Sequence, residues 1–542
     1  MPSIDRTTFI QTAQLGRENN DHGVVVIPVA IRVLADQLTP VLAYRRLVSR
    51  DQRTAPSMLL ESVENGNQQG RHSILGAHPV IEFSARQSQV RVIDHELGTD
   101  NTHESSDPLS DLRQLSDAWH YTVPKASRDR GLLPECVLGG WFGYSAYDSV
   151  RYAEPRKLGF EHAPTDDRNL PEVSFGFYDE LVVFDHVEKL VHLVKLVRIN
   201  ATDDAGARYD SALQSLDALA NQVQEHSKPL PLGRVHSDKP LRNEPMPCNT
   251  SRQEHERMIE RAKQYIEAGD IFQVVLGHRF ERRADADPFD VYRALRAVNP
   301  SPYMVYMQTG GCILVASSPE ILCRVRNDEH GHAIVTNRPL AGTRRRGRTP
   351  DEDLEMERDL LNDPKEISEH AMLVDLGRND VGIVAKPGTI ELSSLMSIER
   401  YSHVMHISST VTGVIRDGLD CWDALRAALP VGTISGAPKV RAMQIIDELE
   451  KVRRGPYGGG LGWVSLDKQM DIALTLRTMV VPIDRYDESN PEGSWEYHIQ
   501  AAGGIVADSV PELEFKETVN KAAALGAAID LAQRAFARDA SE

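Results

Sequence analysis

The chain has 542 residues, 41% of them hydrophobic and 26% charged, with a formal net charge of -18 at pH 7. This length suits two or more domains with substantial cores, and the acidic balance argues against a nucleic-acid surface. No apolar run reaches the length of a membrane span. Five cysteines without metal-ligand spacing, and a start without a signal-peptide core, predict a reduced cytoplasmic protein.

The first half of the chain mixes strand-like runs with helical segments and ends in a proline-rich stretch. Residues 181–184 and 190–197 flank a short turn and predict a β-hairpin. Five prolines between residues 226 and 250 prevent regular structure there. We therefore predict a lobe boundary near residue 240, which gives lobes of residues 1–240 and 241–542. Helices and strands do not alternate regularly enough for a doubly wound parallel sheet, so we expect an α+β fold.

A central helix is predicted to begin at Asp363, with Pro364 in its first position, Glu366 completing a capping box and Gly377 ending it. The segment is apolar nearly all round, which is typical of a buried helix. It nevertheless carries Glu366 and Glu369, and buried carboxylates are costly without a cation. Either a positive group lies beside them, or Glu366 only caps the helix and Glu369 forms a surface ion pair.

The last long helix carries a second pair of glutamates at the same spacing. Glu514 and Glu517 lie three residues apart, as Glu366 and Glu369 do, so each pair projects from one helical face. Two such helices facing each other would offer only oxygen ligands, which favours Mg²⁺ over zinc or iron. His370 does not complete the Glu-x-x-His pattern of a di-iron bundle. Two ordinary surface pairs are the alternative.

The start of this last helix is assigned to a capping box of Ser509 and Glu512, with Pro511 between them. Upstream, residues 341–343, 457–460 and 502–504 are glycine-rich. They either bring backbone N–H groups close to a small anion or form tight turns. None matches a P-loop or a dinucleotide-binding turn, so nucleotide binding is not supported.

Two cations lie inside largely apolar segments, Arg477 in ALTLRTM and Lys521 in ETVNKA. Such residues either extend their charged ends to solvent or pair with a carboxylate. Together with a divalent ion and the glycine amides, they describe a pocket for a small dianion. His406 lies in a strand-like run, where a single histidine is more often a hydrogen-bonded core residue than a catalytic one.

Six segments together resemble the chorismate-utilising enzymes, and within them the anthranilate synthase component I group. The segments are LLES (59–62), NPSPYM (299–304), PLAGTRRRG (339–347), KEISEHAMLVDLGRND (365–380), GTISGAPKVRAM (432–443) and AGGIVADSVPELEFKET (502–518). They occur in the family's order over nearly the whole chain. The resemblance implies two large, mostly antiparallel β-sheets packed face to face, with helices outside, in two lobes.

The resemblance also implies a Mg²⁺-dependent reaction that adds ammonia to chorismate and eliminates pyruvate to give anthranilate. It makes Glu369, Glu514 and Glu517 the Mg²⁺ ligands, with Glu366 beside them as candidate acid for the departing 4-hydroxyl group. His406 matches a family histidine of the elimination step. The residues implied around chorismate are Gly342, Thr343, Thr433, Ser435, Tyr457, Arg477, Ala502, Gly503, Gly504 and Lys521.

Two positions separate the relatives by reaction. Family members that add water carry a lysine base where this chain has Gln273, and ammonia needs no such base because it is its own nucleophile. Aminodeoxychorismate synthases commonly carry a nucleophilic lysine where this chain has Ala341. Both positions favour direct amination to anthranilate. An aminodeoxychorismate synthase and a non-catalytic tryptophan-binding regulatory protein are the alternatives.

The chain contains no glutaminase cysteine turn, so the resemblance implies a separate glutamine amidotransferase subunit that delivers ammonia within a hetero-oligomer. It also implies a feedback site for tryptophan at the interface of the lobes. The residues expected to bind the inhibitor are Leu60, Ser62, Pro302, Tyr303 and Met304.

Overall fold

The computed structural model describes residues 2–18, 23–64, 68–117, 119–125, 127, 130–225, 229–235, 246–401 and 404–536. The helices in these ranges are α1 Arg6–Glu18, α2 Pro40–Leu47, α3 Pro108–Asp117, α4 Val150–Ala153, α5 Ala205–Val223, α6 Arg252–Glu267, α7 Pro288–Val298, α8 Pro350–Leu361, α9 Pro364–Val384, α10 Cys421–Ala428, α11 Lys439–Leu449 and α12 Pro511–Ala535. None of the helices so described is both long enough and apolar enough to cross a lipid bilayer.

The strands form two large sheets and one small hairpin. They are β1 Val24–Val33, β2 Ser57–Glu61, β3 Val63–Glu64, β4 Gln68–Gln69, β5 His72–Ala77, β6 Ile81–Arg86, β7 Gln89–Asp94, β8 Thr99–Glu104, β9 Trp119–Tyr121, β10 Gly140–Ser145, β11 Val173–Tyr178, β12 Glu180–Asp185, β13 Leu190–Ile199, β14 Gln273–Ala284, β15 Tyr303–Gln308, β16 Cys312–Ser318, β17 Ile321–Asn327, β18 Ala333–Arg338, β19 Leu340–Arg345, β20 Glu391–Arg400, β21 Val404–Val414, β22 Gly436–Ala437, β23 Gly460–Ser465, β24 Met470–Leu474, β25 Thr478–Pro482 and β26 Trp495–Ile505.

The first sheet has the order β22-β14-β26-β25-β16-β15-β2-β5-β12-β13-β1-β9. The second has the order β19-β21-β18-β17-β24-β23-β10-β11-β6-β7-β8, with β20 also paired to β21. Neighbouring strands are antiparallel in both sheets, apart from the parallel pair β1 and β9. The predicted hairpin is confirmed as β12 and β13, whose strands pair from Asp185 and Leu190 outwards.

The two sheets pack face to face, as expected of the α+β fold. One buried cluster contains residues of both sheets, for example Met58 and Val305 of the first sheet and Phe142 and Trp463 of the second. Helices α1, α2, α5, α7 and α12 cover the outer face of the first sheet. Helices α3, α9 and α10 cover the outer face of the second. Each sheet is covered by the other sheet on one face and by helices on the opposite face, which explains why the strands of both sheets are largely apolar.

Both sheets contain strands from the two halves of the chain. In the first sheet the halves meet where β2 pairs with β15, with Leu60 opposite Val305. In the second they meet where β10 pairs with β23, with Phe142 opposite Trp463. The predicted boundary near residue 240 lies outside the described residues, and the division into two lobes stays a prediction.

Helix α9 begins as predicted but ends seven residues later than expected. Asp363 is the N-cap, and its side chain accepts hydrogen bonds from the backbone N–H groups of Lys365 and Glu366. Gly377 does not end the helix, which continues to Val384. A Cβ at Gly377 would lie 2.5 Å from Asn337 Oδ1, so the glycine permits close packing against β18 instead.

Two predicted capping boxes at the site are wrong. The Glu366 side chain does not return to the Asp363 backbone, because it accepts a hydrogen bond from Arg344 Nη1 at 3.2 Å. Helix α12 is capped by Val510 without a side-chain hydrogen bond, rather than by Ser509 with Glu512. The Ser509 hydroxyl instead donates to Glu514 Oε1 at 2.8 Å, which fixes the first of the two α12 glutamates.

Candidate active site

The glutamate pairs of α9 and α12 come together at the end of β26. A Cβ on Gly503 would lie 3.2 Å from Glu514 Oε2, and a Cβ on Gly504 would lie 3.5 Å from Glu369 Oε1. Carboxylates from two helices therefore approach consecutive residues of one strand, and only glycine leaves this space. We use the name carboxylate wall for Glu366, Glu369, Glu514 and Glu517.

The carboxylate wall holds more negative charge than its neighbours compensate. Burial and the adjacent Glu366 carboxylate raise the pKa of Glu369. Burial likewise raises the pKa of Glu514, with a further contribution from Glu517 that the Ser509 hydrogen bond opposes. Both shifts mean that burial and like charge outweigh the hydrogen bonds that each carboxylate accepts. An oxygen-lined site with uncompensated negative charge fits a hard divalent cation.

Gln273, the first residue of β14, lies beside this wall. Its Nε2 donates to Glu369 Oε1 at 3.2 Å, and a Cβ on Gly504 would lie 2.5 Å from the same nitrogen. The side chain is 2% exposed. Its Oε1 is buried and has no hydrogen-bond partner in the part of the chain that the structure describes. Such an acceptor is available to a small donor in the site.

The ladder of β19 and β21 positions His406. Gly342 occupies a bulge between Ala341 and Thr343, with a φ of 68° that favours glycine. Its carbonyl oxygen lies 2.9 Å from His406 Nδ1, so Nδ1 carries the hydrogen. Thr343 Oγ1 lies 3.1 Å from the same nitrogen.

This arrangement leaves His406 neutral, with a free lone pair on Nε2. Burial, and next the charge of Arg477, lower the pKa of His406 to about 4, although the Gly342 carbonyl opposes the shift. Nε2 is buried without a hydrogen-bond partner among the described residues. The histidine is therefore uncharged at near-neutral pH and offers Nε2 as a hydrogen-bond acceptor.

A residue that the sequence analysis missed, Glu320, completes this region. It lies between β16 and β17, is 4% exposed, and accepts a hydrogen bond from Thr433 Oγ1 at 3.1 Å. Burial raises its pKa to about 8, which the Thr433 hydrogen bond only partly offsets. A carboxyl group that stays protonated near neutral pH can act as an acid. The available signal is a single charged residue within the largely apolar segment 312–323.

Arg477 is the cation of this region. Its backbone has a φ of 45°, which is uncommon for a residue other than glycine and clusters at functional sites. Burial lowers the pKa of its guanidinium, and the charges of Tyr401 and Glu320 oppose the shift. The guanidinium forms no hydrogen bond or ion pair within the described ranges. We use the name buried wall for Glu320, His406, Thr433 and Arg477.

The backbone of Ala502 contacts two further residues predicted to bind the substrate, Lys521 and Tyr457. Lys521 Nζ donates to the Ala502 carbonyl at 2.9 Å and pairs with Glu517 at 2.6 Å. The Ala502 backbone N–H donates to Tyr457, whose pKa is raised by burial. Ser435 is buried and donates to the Val431 carbonyl. The structure thus brings the predicted catalytic, metal and substrate residues into one connected region.

The family comparison follows this geometry. Residues 56–527 match the family model described as chorismate binding enzyme. The chain belongs to the chorismate binding enzyme family. It is 51% identical over 523 residues to anthranilate synthase alpha subunit 2, chloroplastic, of Arabidopsis thaliana, which covers 94% of this chain and 82% of that protein.

Members of this family from bacteria are also similar. Anthranilate synthase component 1 of Acetivibrio thermocellus is 40% identical, over 93% of this chain and 95% of that protein. The crystal structure of anthranilate synthase component I from Streptococcus pneumoniae TIGR4 matches with a TM-score of 0.66 and 32% identity, over 91% of this chain and 98% of that one. The resemblance inferred from the six segments, and the fold it implied, are confirmed.

In this chorismate binding enzyme a cavity of about 790 Å³ lies where the two halves meet. Leu60, Ser62, Pro302 and Tyr303, four of the residues expected to bind tryptophan, line it. Met304 does not line the cavity. It is 1% exposed and packs in the core beneath the outer helices, because successive residues of β15 face opposite sides of the sheet.

The cavity extends to the buried wall. Leu340 and Tyr401 also line it, and the ring centroid of Tyr401 lies 5.6 Å from that of His406. Leu340 donates its backbone N–H to Glu320. A molecule in this cavity would therefore be separated from His406 and Glu320 by single residues.

Glu281, Glu496 and His498 form a cluster of possible metal ligands, with one ligand atom from each residue within 4.8 Å of the others. No other cluster of this kind occurs in the described ranges. This cluster is not the predicted metal site. Arginines already pair with its carboxylates, for example Arg485 with Glu496 at 2.5 Å and Arg279 with Glu281 at 2.9 Å. The carboxylate wall is more open than this cluster, and among the described residues the arginine that pairs with it is Arg344, at Glu366.

Proposed function

We propose that the chain is the large subunit of an anthranilate synthase, which aminates chorismate with ammonia and then eliminates pyruvate to give anthranilate. The observation that carries the proposal is that Gly342 joins the carboxylate wall to the buried wall. A Cβ on Gly342 would lie 3.2 Å from Glu366 Oε2, and the Gly342 carbonyl oxygen lies 2.9 Å from Nδ1 of the neutral His406. The anthranilate synthases among the relatives, at 40% and 51% identity, support the same assignment.

The two walls suit the two carboxylates of chorismate. Arg477 offers an unpaired guanidinium to one of them, with the Tyr457 hydroxyl and the backbone N–H groups near Gly503 and Gly504 as further donors. Gly342, Thr343 and Lys521 would complete the pocket. The other carboxylate would face the carboxylate wall, which can hold an anion only when a cation lies between them.

Mg²⁺ is the cation we propose there. Glu369, Glu514 and Glu517 would hold it, because their donors are all oxygen atoms and the pKa of Glu369 and of Glu514 is raised by burial and like charge. Bound Mg²⁺ would supply the positive charge that attracts the substrate carboxylate. Arg344 already pairs with Glu366 and Lys521 with Glu517, so Glu369 and Glu514 are the two members of the wall without an ion pair among the described residues.

Gln273 would receive ammonia. The buried Oε1, without a partner in the described structure, can accept one N–H of ammonia, while Nε2 remains bound to Glu369. Ammonia brings its own lone pair, so the residue needs to orient the nucleophile and not to deprotonate it. The glutamine amide is suited to this role because it accepts hydrogen bonds without taking up a proton.

Loss of the 4-hydroxyl group needs an acid, since hydroxide is a poor leaving group. The sequence-based candidate, Glu366, accepts a hydrogen bond from Arg344 Nη1 at 3.2 Å and forms an ion pair with it. Glu320 has a pKa of about 8 and is held by Thr433, so we propose Glu320 as the acid. Glu366 would then shape the carboxylate wall beside the metal ion.

Elimination of pyruvate needs a group that takes up a proton. His406 is neutral, with its pKa lowered to about 4, and the Gly342 carbonyl holds its Nδ1–H. Its Nε2 lone pair is therefore the acceptor that we propose for this step.

We further propose that ammonia comes from a separate glutamine amidotransferase subunit, so that the protein is a hetero-oligomer in the cytoplasm. The component and subunit names of the relatives support a partner. We also propose that tryptophan inhibits by binding in the 790 Å³ cavity, whose residue Tyr401 packs against His406. Activity that stays unchanged at saturating tryptophan would contradict this regulation.

The proposed function is tested by supplying the purified chain with chorismate, ammonium and Mg²⁺ and recording anthranilate fluorescence. We expect product that depends on ammonium and disappears with a chelator. No product, or product undiminished by the chelator, would overturn the proposal. Aminodeoxychorismate as the final product would instead identify the alternative enzyme, whose lysine is Ala341 here.

A further inference from the structure

A buried ion pair behind the site joins two of its parts. Arg454 is 2% exposed and binds Glu450 through two hydrogen bonds, from Nε at 2.9 Å and from Nη2 at 2.5 Å. Its Nη1 also donates to the Ile434 carbonyl at 2.7 Å, and Nη2 to the Val275 carbonyl at 2.7 Å. Glu450 in turn accepts the backbone N–H of Gly277 at 2.9 Å.

The backbone groups held by this pair belong to two segments that carry site residues. Ile434 ends the short turn of residues 432–434, whose middle residue Thr433 binds Glu320. Val275 and Gly277 lie on β14, which begins with Gln273. One guanidinium and one carboxylate therefore connect the turn that holds the proposed acid to the strand that holds the proposed ammonia-binding residue.

Stability alone does not require a charged pair here. Well-packed apolar side chains of similar volume often replace a buried ion pair with no loss of stability. The pair does, however, supply directional contacts that apolar side chains lack. The planar guanidinium donates in fixed directions to a carboxylate and to two carbonyl groups at once, which a lysine ammonium cannot reproduce.

We propose that Glu450 and Arg454 are positioning residues that set the distance between Gln273 and Thr433. The inference rests on the proposed function, in which ammonia adds at one carbon of chorismate while the hydroxyl group leaves from another. Gln273 and Thr433 must therefore reach their two substrate carbons at the same time. A displacement of either residue by about 1 Å would lower the rate about 10²-fold. Neither Glu450 nor Arg454 touches the reacting atoms; they act through Gln273 and Thr433.

The test uses the full chain with chorismate, ammonium and Mg²⁺, and compares Arg454→Lys with the wild type. Three quantities are measured: kcat, KM for ammonium, and the ratio of water-addition product to anthranilate. We expect kcat to fall about 10²-fold, KM for ammonium to rise, and the ratio to increase because water competes with poorly oriented ammonia. The ratio reports only on folded, active molecules, so partial unfolding cannot change it.

Arg151→Lys is the matched control. Arg151 is equally buried and pairs with Asp148 and Asp447, each at 2.8 Å, without holding a backbone group of a site residue. We expect its product ratio and KM for ammonium to equal those of the wild type. If Arg454→Lys fails to fold, the double variant Glu450→Leu/Arg454→Met replaces the pair by apolar side chains and is measured in the same way.

The outcomes separate the two proposals. Wild-type protein that makes no anthranilate contradicts the proposed function itself. Wild-type protein that does, together with a folded variant whose product ratio and KM for ammonium are unchanged, overturns only the positioning role. Activity lost in proportion to folded protein, with an unchanged ratio, would assign the pair a purely structural role and likewise overturn the inference.

Discussion

The carboxylate wall and the buried wall differ in how their polar groups are satisfied. In the carboxylate wall, Glu366 pairs with Arg344 of β19, and Glu517 pairs with Lys521 one turn further along α12. In the buried wall, Glu320 and His406 are 4% and 7% exposed and have strongly shifted pKa values. The first wall suits the binding of charge, and the second suits the movement of protons.

The largest expected loss of activity comes from substitutions in the carboxylate wall. Glu369→Gln or Glu517→Gln should remove Mg²⁺-dependent turnover, with a loss of about 10³-fold or more, which corresponds to about 4 kcal/mol of transition-state stabilisation. The measurement is anthranilate formation against Mg²⁺ concentration. Glu512→Gln, on the same helix and paired with Arg252 at the surface, is the control and should retain turnover. Normal Mg²⁺ dependence in Glu369→Gln would contradict the assignment of this wall.

A second expected effect compares one carboxyl group from each wall. Glu320→Gln should lower kcat by about 10²- to 10³-fold, because an amide cannot protonate the leaving hydroxyl group. Glu366→Gln should lower it by about tenfold, since Glu366 is paired with Arg344 and, in the proposed function, only shapes the metal site. Steady-state kinetics at saturating Mg²⁺ measure both variants. The opposite ranking would return the role of acid to Glu366.

Stability provides a control for the Glu320 variant. The pKa of Glu320 is raised from 4.5 to about 8 in the folded chain, so the folded state binds more protons than the unfolded state between these values. The contribution of Glu320 to folding stability is therefore present below pH 4.5 and is lost as the pH rises towards 8. Glu320→Gln should be at least as stable as the wild type at pH 9, and thermal unfolding of both proteins at the pH of the activity assay shows whether the lost activity reflects unfolding.

These two walls also show what the sequence could predict. The carboxylate wall follows from helical spacing, because residues three apart share a face and Glu366, Glu369, Glu514 and Glu517 repeat that spacing. Glu320 could not be found in this way. Its contact with Thr433 joins positions 113 residues apart in the sequence, and its shifted pKa depends on burial that no local pattern reports.

The helix ends show the same limit. Asp363 and Pro364 were recognised as a helix start because capping is local. Gly377 looked like a helix end, yet its conformation is helical and its missing side chain accommodates Asn337 of β18. A glycine that caps a helix and a glycine that allows close packing look the same in the sequence. Only the position of the neighbouring strand distinguishes the two roles.

A third expected effect concerns the second proton transfer. His406→Met should slow elimination more than amination, so that the aminated intermediate accumulates before anthranilate appears. The reason is that methionine fills the space but has no nitrogen to accept a proton. Chromatography of quenched reactions measures the intermediate. Normal anthranilate output without accumulation would remove His406 from the reaction.

The smallest expected effect tests how Thr433 controls the pKa of Glu320. Thr433→Val removes a hydrogen bond that lowers the pKa of Glu320, so this pKa should rise further. The rate should fall by only about tenfold, or about 1.4 kcal/mol. The loss of activity at high pH should begin at a higher pH than in the wild type. A shift to lower pH would contradict the assignment of Glu320.

The most direct test of the division between the walls is the pH dependence of kcat for the wild type and for Glu320→Gln, at saturating chorismate, ammonium and Mg²⁺. The account predicts that wild-type kcat falls as the pH rises through about 8, where Glu320 loses its proton. It also predicts that this limb is absent from the residual activity of Glu320→Gln. A limb near pH 8 that persists in the variant would contradict the account.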